Sequence, residues 1–167
     1  MDEDLIARAQ RYARRHKAVL RDRLGFGIHG IVYAAQRNRK PGRSALKFHS
    51  RDETYYRERQ VYRRLKEQHV VQIHGLHVPQ LLDFDDEFLM IGMTIVSPPY
   101  LLDFAGAYLD EPPVFPDHVL GEWEADKREQ FGPHWEDVRL VLSTLENYGI
   151  FLVDVSPSNI TFRDPVS

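Results

Sequence analysis

The sequence predicts an α+β protein with an antiparallel sheet in its first part and a short, mostly helical second part. Segments with the apolar pattern of β-strands are concentrated between residues 22 and 96, whereas residues 137–148 repeat apolar side chains at helical spacing. Between them Pro98 and Pro99 interrupt the pattern, because proline has a fixed φ and no N–H group. We therefore expect three parts, namely a basic N-terminal helix at 1–21, a sheet-containing part at 22–97 and a short part at 98–167.

The elements follow one another in a simple order along the chain. Helical spacing of apolar residues predicts helices over 4–21 and 54–67, and the glycine-punctuated segment 22–36 indicates two strands joined by a turn. Further strands are predicted over 44–49, 78–84 and 88–96. Residues 110–133 have no strong period, which indicates a loop that holds one short helix at most. A helix over 137–148 and short strands over 150–153 and 159–162 complete the second part.

The composition excludes several classes of protein. Of the 167 residues 43% are hydrophobic and 28% are charged, which excludes an intrinsically disordered chain. The chain has no cysteine, so disulfides and thiolate metal sites are excluded. The longest stretch without a charged residue, Phe88–Leu102, contains two prolines and is too short for a membrane-spanning helix. The N-terminal residues have no apolar signal-peptide core. We expect a cytoplasmic protein that does not enter membranes.

The charges are divided unevenly along the chain. Residues 1–66 contain 18 Lys and Arg against 7 Asp and Glu, and residues 67–167 contain 4 against 18. One interpretation is that the two oppositely charged parts attract each other and that their charges keep the protein soluble. A functional alternative is a basic surface for phosphate and an acidic surface for a cationic substrate. Charge balance alone does not distinguish the two.

A glycine-rich segment follows the N-terminal helix. Gly25, Gly27 and Gly30 form the pattern G-F-G-I-H-G, and Val32 lies two residues beyond. Glycine lets backbone N–H groups approach phosphate oxygens, because no Cβ stands in the way. Glycines also make ordinary turns, so the pattern alone leaves both interpretations open. A dinucleotide-binding loop would open a helix, whereas the residues that follow here have strand character.

One lysine lies within an apolar strand. Lys47 follows Ala45 and Leu46, and a lysine that points inward from a strand is costly unless it has an anionic partner. Glu58 on the following helix is a suitable partner. The pair would hold the phosphates of a nucleotide; the alternative is a lysine at a strand edge in contact with solvent.

A second polar cluster lies near the end of the sequence. Asp154 is followed five residues later by Asn159, after a predicted helix and a short strand. This spacing can place a general base and a metal ligand on one loop. Asp, Ser, Pro and Asn are also common turn residues, so an ordinary turn is the alternative.

Taken in order, these motifs resemble those of the protein-kinase-like superfamily. The matching patterns are G-x-G-x-x-G-x-V, A-x-K, a glutamate on the next helix, a strand that ends at a proline-containing hinge, and D-x-x-x-x-N. The resemblance covers about residues 22–162. It implies a five-stranded antiparallel N-lobe with one main helix, followed by a short, mostly helical and truncated C-lobe.

The resemblance also implies a role for each matching residue. Gly25, Gly27 and Gly30 would cover the phosphates of ATP, and Val32 and Ala45 would pack against adenine. Lys47, paired with Glu58, would hold the α- and β-phosphates, Asp154 would be the catalytic base, and Asn159 would bind magnesium. Residues 93–97 would form the hinge. The implied cofactors are ATP and Mg²⁺.

The chain departs from the family in several places. Leu152 and Val153 occupy the positions of His and Arg in the family's H-R-D pattern, and Ser156 replaces a common basic residue. No D-F-G motif follows Asn159, so the second magnesium ligand is not identified. Asp164 is a poor substitute, because it lies only five residues after Asn159.

Two functions remain open at this point. The first is an ATP-dependent phosphotransferase whose acceptor is unknown, with a cationic acceptor suggested by the acidic stretch 67–126. The second is a catalytically impaired pseudokinase that binds nucleotide or protein without turnover. A nucleic-acid partner for the basic N-terminal helix is a weaker third hypothesis. The shortness of the C-lobe also predicts a homo-oligomer or another protein partner covering apolar residues, namely Val138, Val141, Leu142, Leu145, Phe151 and Leu152.

Overall fold

The computed structural model describes residues 2–163. Within them lie four α-helices, α1 Asp2–His16, α2 Asp52–Glu67, α3 Asp117–Phe131 and α4 Trp135–Asn147, with a 3₁₀ turn at Gly132–His134. The strands of the first part are β1 Val19–Gly27, β2 Gly30–Gln36, β3 Arg43–His49, β4 Gln72–Ile73, β5 Leu76–His77, β6 Leu81–Asp85 and β7 Met90–Met93. The remaining strands are β8 Tyr100–Leu101, β9 Tyr108–Leu109, β10 Ile150–Phe151 and β11 Ile160–Thr161.

Five antiparallel strands form the main sheet, in the order β1-β2-β3-β7-β6. Successive side chains of a strand point to opposite faces, and β3 shows the consequence. Leu46 and Phe48 pack with α1 in one apolar cluster, whereas Ala45 belongs to a second cluster that includes α2. Lys47 shares the face of Ala45 and therefore points towards α2. The predicted α+β class and five-stranded antiparallel sheet are confirmed.

Two small sheets hold residues 102–107 beside a later part of the chain. β8 pairs with β11, and Leu101 lies opposite Ile160. β9 pairs with β10, and Leu109 lies opposite Ile150. Residues 102–107 are thereby placed next to residues 152–159, although the two segments are far apart in sequence.

The bounds of several predicted elements differ in the structure. The helix expected over 4–21 ends at His16, because Lys17 has a left-handed backbone with φ 51° and the next strand begins at Val19. The strands expected over 78–84 and 88–96 shorten to β6 and β7. Leu89, with φ 48°, lies in the turn that joins these two strands.

The segment 110–133 contains a longer helix than predicted. α3 has 15 residues, and Phe131 is the only one of them that is fully buried. A helix that buries so little has no clear apolar period, so its sequence does not show the pattern that identifies α4. No helix among residues 2–163 is long and apolar enough to cross a membrane.

The second part is covered largely by its own chain. Of the six apolar residues for which a partner is expected, Val138, Val141 and Leu145 have no exposed surface and Leu152 is 5% exposed. Leu142 and Phe151 are half-buried. These residues continue the core cluster of α2, so one apolar core joins both parts of the chain.

Candidate functional site

Lys47 is the centre of a buried ion network. Its Nζ lies 2.7 Å from Oε2 of Glu58 and 3.1 Å from Oδ1 of Asp103, and its side chain is 9% exposed. Burial alone would lower the pKa of Lys47, but the two carboxylates outweigh burial and raise it. The lysine therefore stays charged, and the alternative of a solvated lysine at a strand edge is excluded.

Glu58 on α2 is completely buried and fully partnered. Its Oε2 also faces Nε2 of His49 at 2.6 Å, and its Oε1 accepts a hydrogen bond from the backbone N–H of Phe104 at 3.1 Å. Burial acts to raise the pKa of Glu58, but the charge of Lys47 and the hydrogen bond from His49 lower it to about 2. The carboxylate is therefore ionised and fixes the position of Lys47.

Asp103 is a site residue that the sequence analysis missed. It begins the segment Asp103-Phe104-Ala105-Gly106 and has a left-handed backbone with φ 66°. Its Oδ1 accepts hydrogen bonds from Lys47 and, at 3.3 Å, from the backbone N–H of Ala105. The side chain is 30% exposed, which leaves part of the carboxylate accessible. The sequence pattern D-F-x-G marks this position, but it precedes Asp154, whereas the resemblance implies a D-F-G motif after Asn159.

The segment 102–106 contacts the loop that carries Asp154. The backbone N–H of Leu102 donates to the carbonyl of Asn159 at 2.8 Å. A Cβ added at Gly106 would lie 3.2 Å from the Cβ of Asp154, so the glycine allows this close approach. The structure thus brings together Lys47, Glu58 and Asp103, and it places Asp154 and Asn159 on a loop that contacts residues 102–106.

Asp154 also faces the glycine-rich turn. Its side chain is 61% exposed, and its Oδ2 lies 3.6 Å from Nε2 of His29. The backbone of the turn is fixed by Ser50, whose N–H and hydroxyl donate to the carbonyls of His29 and Ile28 at 3.0 and 2.9 Å. The site is therefore bounded by the glycine turn on one side and by the Asp154 loop on the other.

The three glycines of the turn differ in the space around the position that a Cβ atom would take. A Cβ at Gly30 would lie 2.1 Å from the carbonyl oxygen of Phe48, so this glycine is required by the packing of β2 on β3. A Cβ at Gly25 would make ordinary contact with Val32 at 3.8 Å, and one at Gly27 would meet nothing within 4 Å. Gly27 therefore leaves open space beside its backbone that the protein itself does not fill.

Val32 and Ala45 lie on the face of the sheet that carries Lys47. Val32 is paired with Lys47 in the register of β2 and β3, and Ala45 is paired with Met93 in the register of β3 and β7. Val32 packs against the core cluster that contains Ala45 and Met93. These three side chains share one apolar face of the sheet, and Ala45 and Met93 are only 5% and 6% exposed.

No protein-family model matches the chain, and no curated protein matches it significantly. The function of the chain is therefore inferred from its own geometry.

Proposed function

We propose that the chain is an ATP-dependent phosphotransferase of the protein-kinase-like superfamily, with a fold that keeps the N-lobe of that superfamily and shortens its C-lobe. The observation that carries this proposal is the position of Lys47 between Glu58 and Asp103, at 2.7 and 3.1 Å. In such enzymes a lysine paired with a helical glutamate holds the phosphates, and the aspartate of a D-F-G segment binds magnesium beside it.

The order of the segments is the main departure from that superfamily. There the D-F-G segment follows the catalytic loop, whereas Asp103 precedes Asp154 in this chain. The pairing of β8 with β11 supports a similar arrangement in space, because it brings Asp103 next to the backbone of Asn159. We therefore assign to Asp103 the metal-binding role for which Asp164 was considered from the sequence. Asp164 lies outside the described residues.

The residues present fit both ATP and magnesium. The open space at Gly27 leaves its backbone accessible to a phosphate group, and Lys47 supplies a positive charge. Magnesium prefers oxygen ligands and is commonly held by one or two carboxylates together with phosphates. Asp103 and Asn159 would hold the ion, which would neutralise charge on the phosphates. No three His, Cys, Asp or Glu side chains cluster together within residues 2–163, so the ion would also need phosphate oxygens as ligands.

Asp154 is the proposed general base. Its carboxylate is exposed and borders the glycine turn, so an acceptor hydroxyl can reach it. A carboxylate in that position accepts the hydroxyl proton as the oxygen attacks phosphorus. The packing of Gly106 against Asp154 couples the position of this base to the segment of Asp103.

A nucleotide-binding pseudokinase is the second candidate. One observation favours it, namely the replacement of the polar residues before the catalytic aspartate by Leu152 and Val153. Leu152 is 5% exposed and belongs to the core, and the carbonyl of Val153 accepts a hydrogen bond from the indole of Trp123. The two candidates differ in turnover and agree in nucleotide binding.

Calorimetric titration with MgATP tests the nucleotide site. Lys47→Ala removes a charge-assisted contact to the phosphates, so we expect MgATP affinity to fall at least about tenfold. Arg43→Ala is the matched control, since it removes one positive charge from the exposed end of the same strand. Equal affinity of both variants, or binding by none of the proteins, contradicts the proposal.

Turnover distinguishes the enzyme from the pseudokinase. We expect wild-type protein to release ADP from MgATP, and Asp154→Asn to lower that rate by about 10²- to 10⁴-fold while MgATP affinity changes only a few-fold. Asp137→Asn, on the exposed surface of α4, is the control. MgATP binding without measurable turnover in wild type supports the pseudokinase instead.

A further inference from the structure

A cleft of about 650 Å³ adjoins the proposed base. It lies between α3, α4 and residues 151–154, and Asp154 is part of its lining. The volume is in the range of sites that bind small organic molecules. The cleft is separate from the sheet face shared by Val32, Ala45 and Met93, which belongs to the proposed nucleotide site.

The lining of the cleft is largely apolar and contains both tryptophans of the chain. Trp123 and Trp135 contribute together with Leu142 and Phe151. The indole N–H of Trp123 donates to the carbonyl of Val153 at 3.0 Å, which fastens α3 to the Asp154 loop. Trp135 is 3% exposed, and its indole nitrogen is buried without a hydrogen-bond partner within residues 2–163. A buried donor without a partner is uncommon in folded proteins.

Most charged side chains in the lining form ion pairs with other residues of the protein. Three charged lining residues have ion-pair partners, namely Lys127 with Asp126, Arg139 with Glu136 and Glu124 with Arg128. Glu146 is exposed and has no ion-pair partner among residues 2–163. Glu146 and Asp154 are therefore the two carboxylates in the lining that remain available to a cation.

We infer that this cleft is the acceptor site, and that it binds a small hydroxyl compound with an apolar ring and a protonated amine. The inference rests on the proposed phosphotransferase function. The ring would pack between the apolar side chains, the hydroxyl would lie at Asp154, and the ammonium group would face Glu146.

The reaction at this site balances with ATP as the only other reactant. The acceptor oxygen forms a bond to the γ-phosphorus, and the bond between that phosphorus and the β,γ-bridging oxygen breaks. ADP leaves with the electron pair of the broken bond, and the hydroxyl proton passes to the carboxylate of Asp154.

Tyramine, which has a hydroxyl, an aromatic ring and an amine, is a suitable probe. Because the only two tryptophans line the cleft, binding is followed by tryptophan fluorescence excited where phenols do not absorb. We expect tyramine to change this fluorescence, and 3-(4-hydroxyphenyl)propionate, of similar size but opposite charge, to bind more weakly. No fluorescence change with tyramine at millimolar concentration, or tighter binding of the propionate, overturns the inference.

Two variants locate the probe in the cleft. Glu146→Gln should weaken tyramine binding by about two- to fivefold, as expected for an exposed ion pair, and leave binding of the uncharged 4-ethylphenol unchanged. Glu129→Gln, exposed on α3 outside the lining, is the matched control. Ser143→Phe inserts a ring into the cleft and should reduce binding of both phenols at least about tenfold. Unchanged affinities in Glu146→Gln and Ser143→Phe contradict the inference.

Failure of this inference is distinguishable from failure of the proposed function. MgATP binding measured by calorimetry on the same proteins does not depend on the cleft. If MgATP binds and tyramine does not, the acceptor site is wrong and the nucleotide site stands. If tyramine binds and depends on Glu146 but MgATP does not bind, the cleft is a binding site and the phosphotransferase proposal is wrong.

Discussion

The imidazole Nε2 of His49 lies 2.6 Å from Oε2 of Glu58, and neither side chain has any exposed surface. The other ring nitrogen, Nδ1, faces the carbonyl oxygen of Leu89 at 3.2 Å. His49 thus contacts the same oxygen of Glu58 as Lys47 does, and it connects the ion network to the turn before β7.

We predict that His49→Ala destabilises the fold. The variant removes a hydrogen bond to a buried charged group, so the free energy of unfolding should fall by about 1.5–3 kcal/mol. Urea denaturation measures the difference. His118→Ala, at an exposed position of α3, should leave the unfolding midpoint unchanged. Equal midpoints for both variants would show that His49 contributes nothing to the stability of the network.

We predict a loss of stability in acid that depends on Glu58. The pKa of Glu58 is lowered from 4.5 to about 2 in the folded protein. A lowered folded-state pKa gives stability that is present above the unfolded value and is lost as the pH falls towards the folded value. The free energy of unfolding should therefore decrease between about pH 4.5 and pH 2, and Glu58→Gln should remove this part of the pH dependence. Unfolding curves at several pH values, with Glu53→Gln at an exposed position as the control, measure it.

We predict that Asp103→Asn removes the magnesium dependence of ATP binding. In wild type, Mg²⁺ should increase the affinity for ATP. In the variant this increase should be smaller by a factor of at least about ten, because changes around a metal site commonly lower metal affinity by that factor or more. Asp22→Asn, whose carboxylate is 81% exposed, is the control. Titrations of ATP with and without Mg²⁺ compare the two. If Asp103→Asn keeps the full effect of Mg²⁺, Asp103 serves only as a counter-ion of Lys47.

We predict that Gly106→Ala disturbs the position of Asp154. The added Cβ would lie 3.2 Å from the Cβ of Asp154, so one of the two must move by a few tenths of an ångström. ADP release from MgATP should fall by up to about tenfold, because a displacement of about 1 Å can cost about 10²-fold in rate and this one is smaller. Gly121→Ala, at a helical position with nothing within 4 Å, should keep full turnover. Equal turnover in the two variants would show that Gly106 does not affect the function of Asp154.

Association through the second part of the chain remains a prediction. Most of the apolar residues that suggested it are buried within the chain, so a partner would contact apolar side chains that are still exposed outside the cleft, namely Val114 at 95% and Leu140 at 54%. We predict a concentration-dependent dimer that Leu140→Lys disrupts, whereas Leu82→Lys on the main sheet does not. Sedimentation at micromolar concentration measures the mass. A wild-type protein that sediments as a single chain contradicts this prediction.

The sequence predicts the Lys47–Glu58 pair because two simple periodicities locate it. Alternation along β3 assigns Lys47 to the face of Ala45, and helical spacing assigns Glu58 to the buried side of α2. His49 lies on the same face as Lys47 by the same alternation, so its place in the network was also accessible from the sequence. What the sequence does not give is the distance between His49 and Glu58, because this depends on how α2 packs across the sheet.

Asp103 could not be placed from the sequence in the same way. Its position depends on the pairing of β8 with β11 and of β9 with β10, and each of these strands has only two residues. Strands this short carry almost no periodicity, and their pairing is long-range. α3 was missed for a different physical reason, since a helix that is exposed over most of its surface has no apolar stripe to reveal it.

The order of the segments also has a consequence for the synthesis of the protein. Lys47, Glu58 and Asp103 have all left the ribosome before residues 150–161 are made. Until then β8 and β9 lack β11 and β10 and present unpaired backbone N–H and C=O groups. The nascent chain is therefore exposed to mispairing with other chains until residues 150–161 emerge, and chaperone binding would be most useful during that interval.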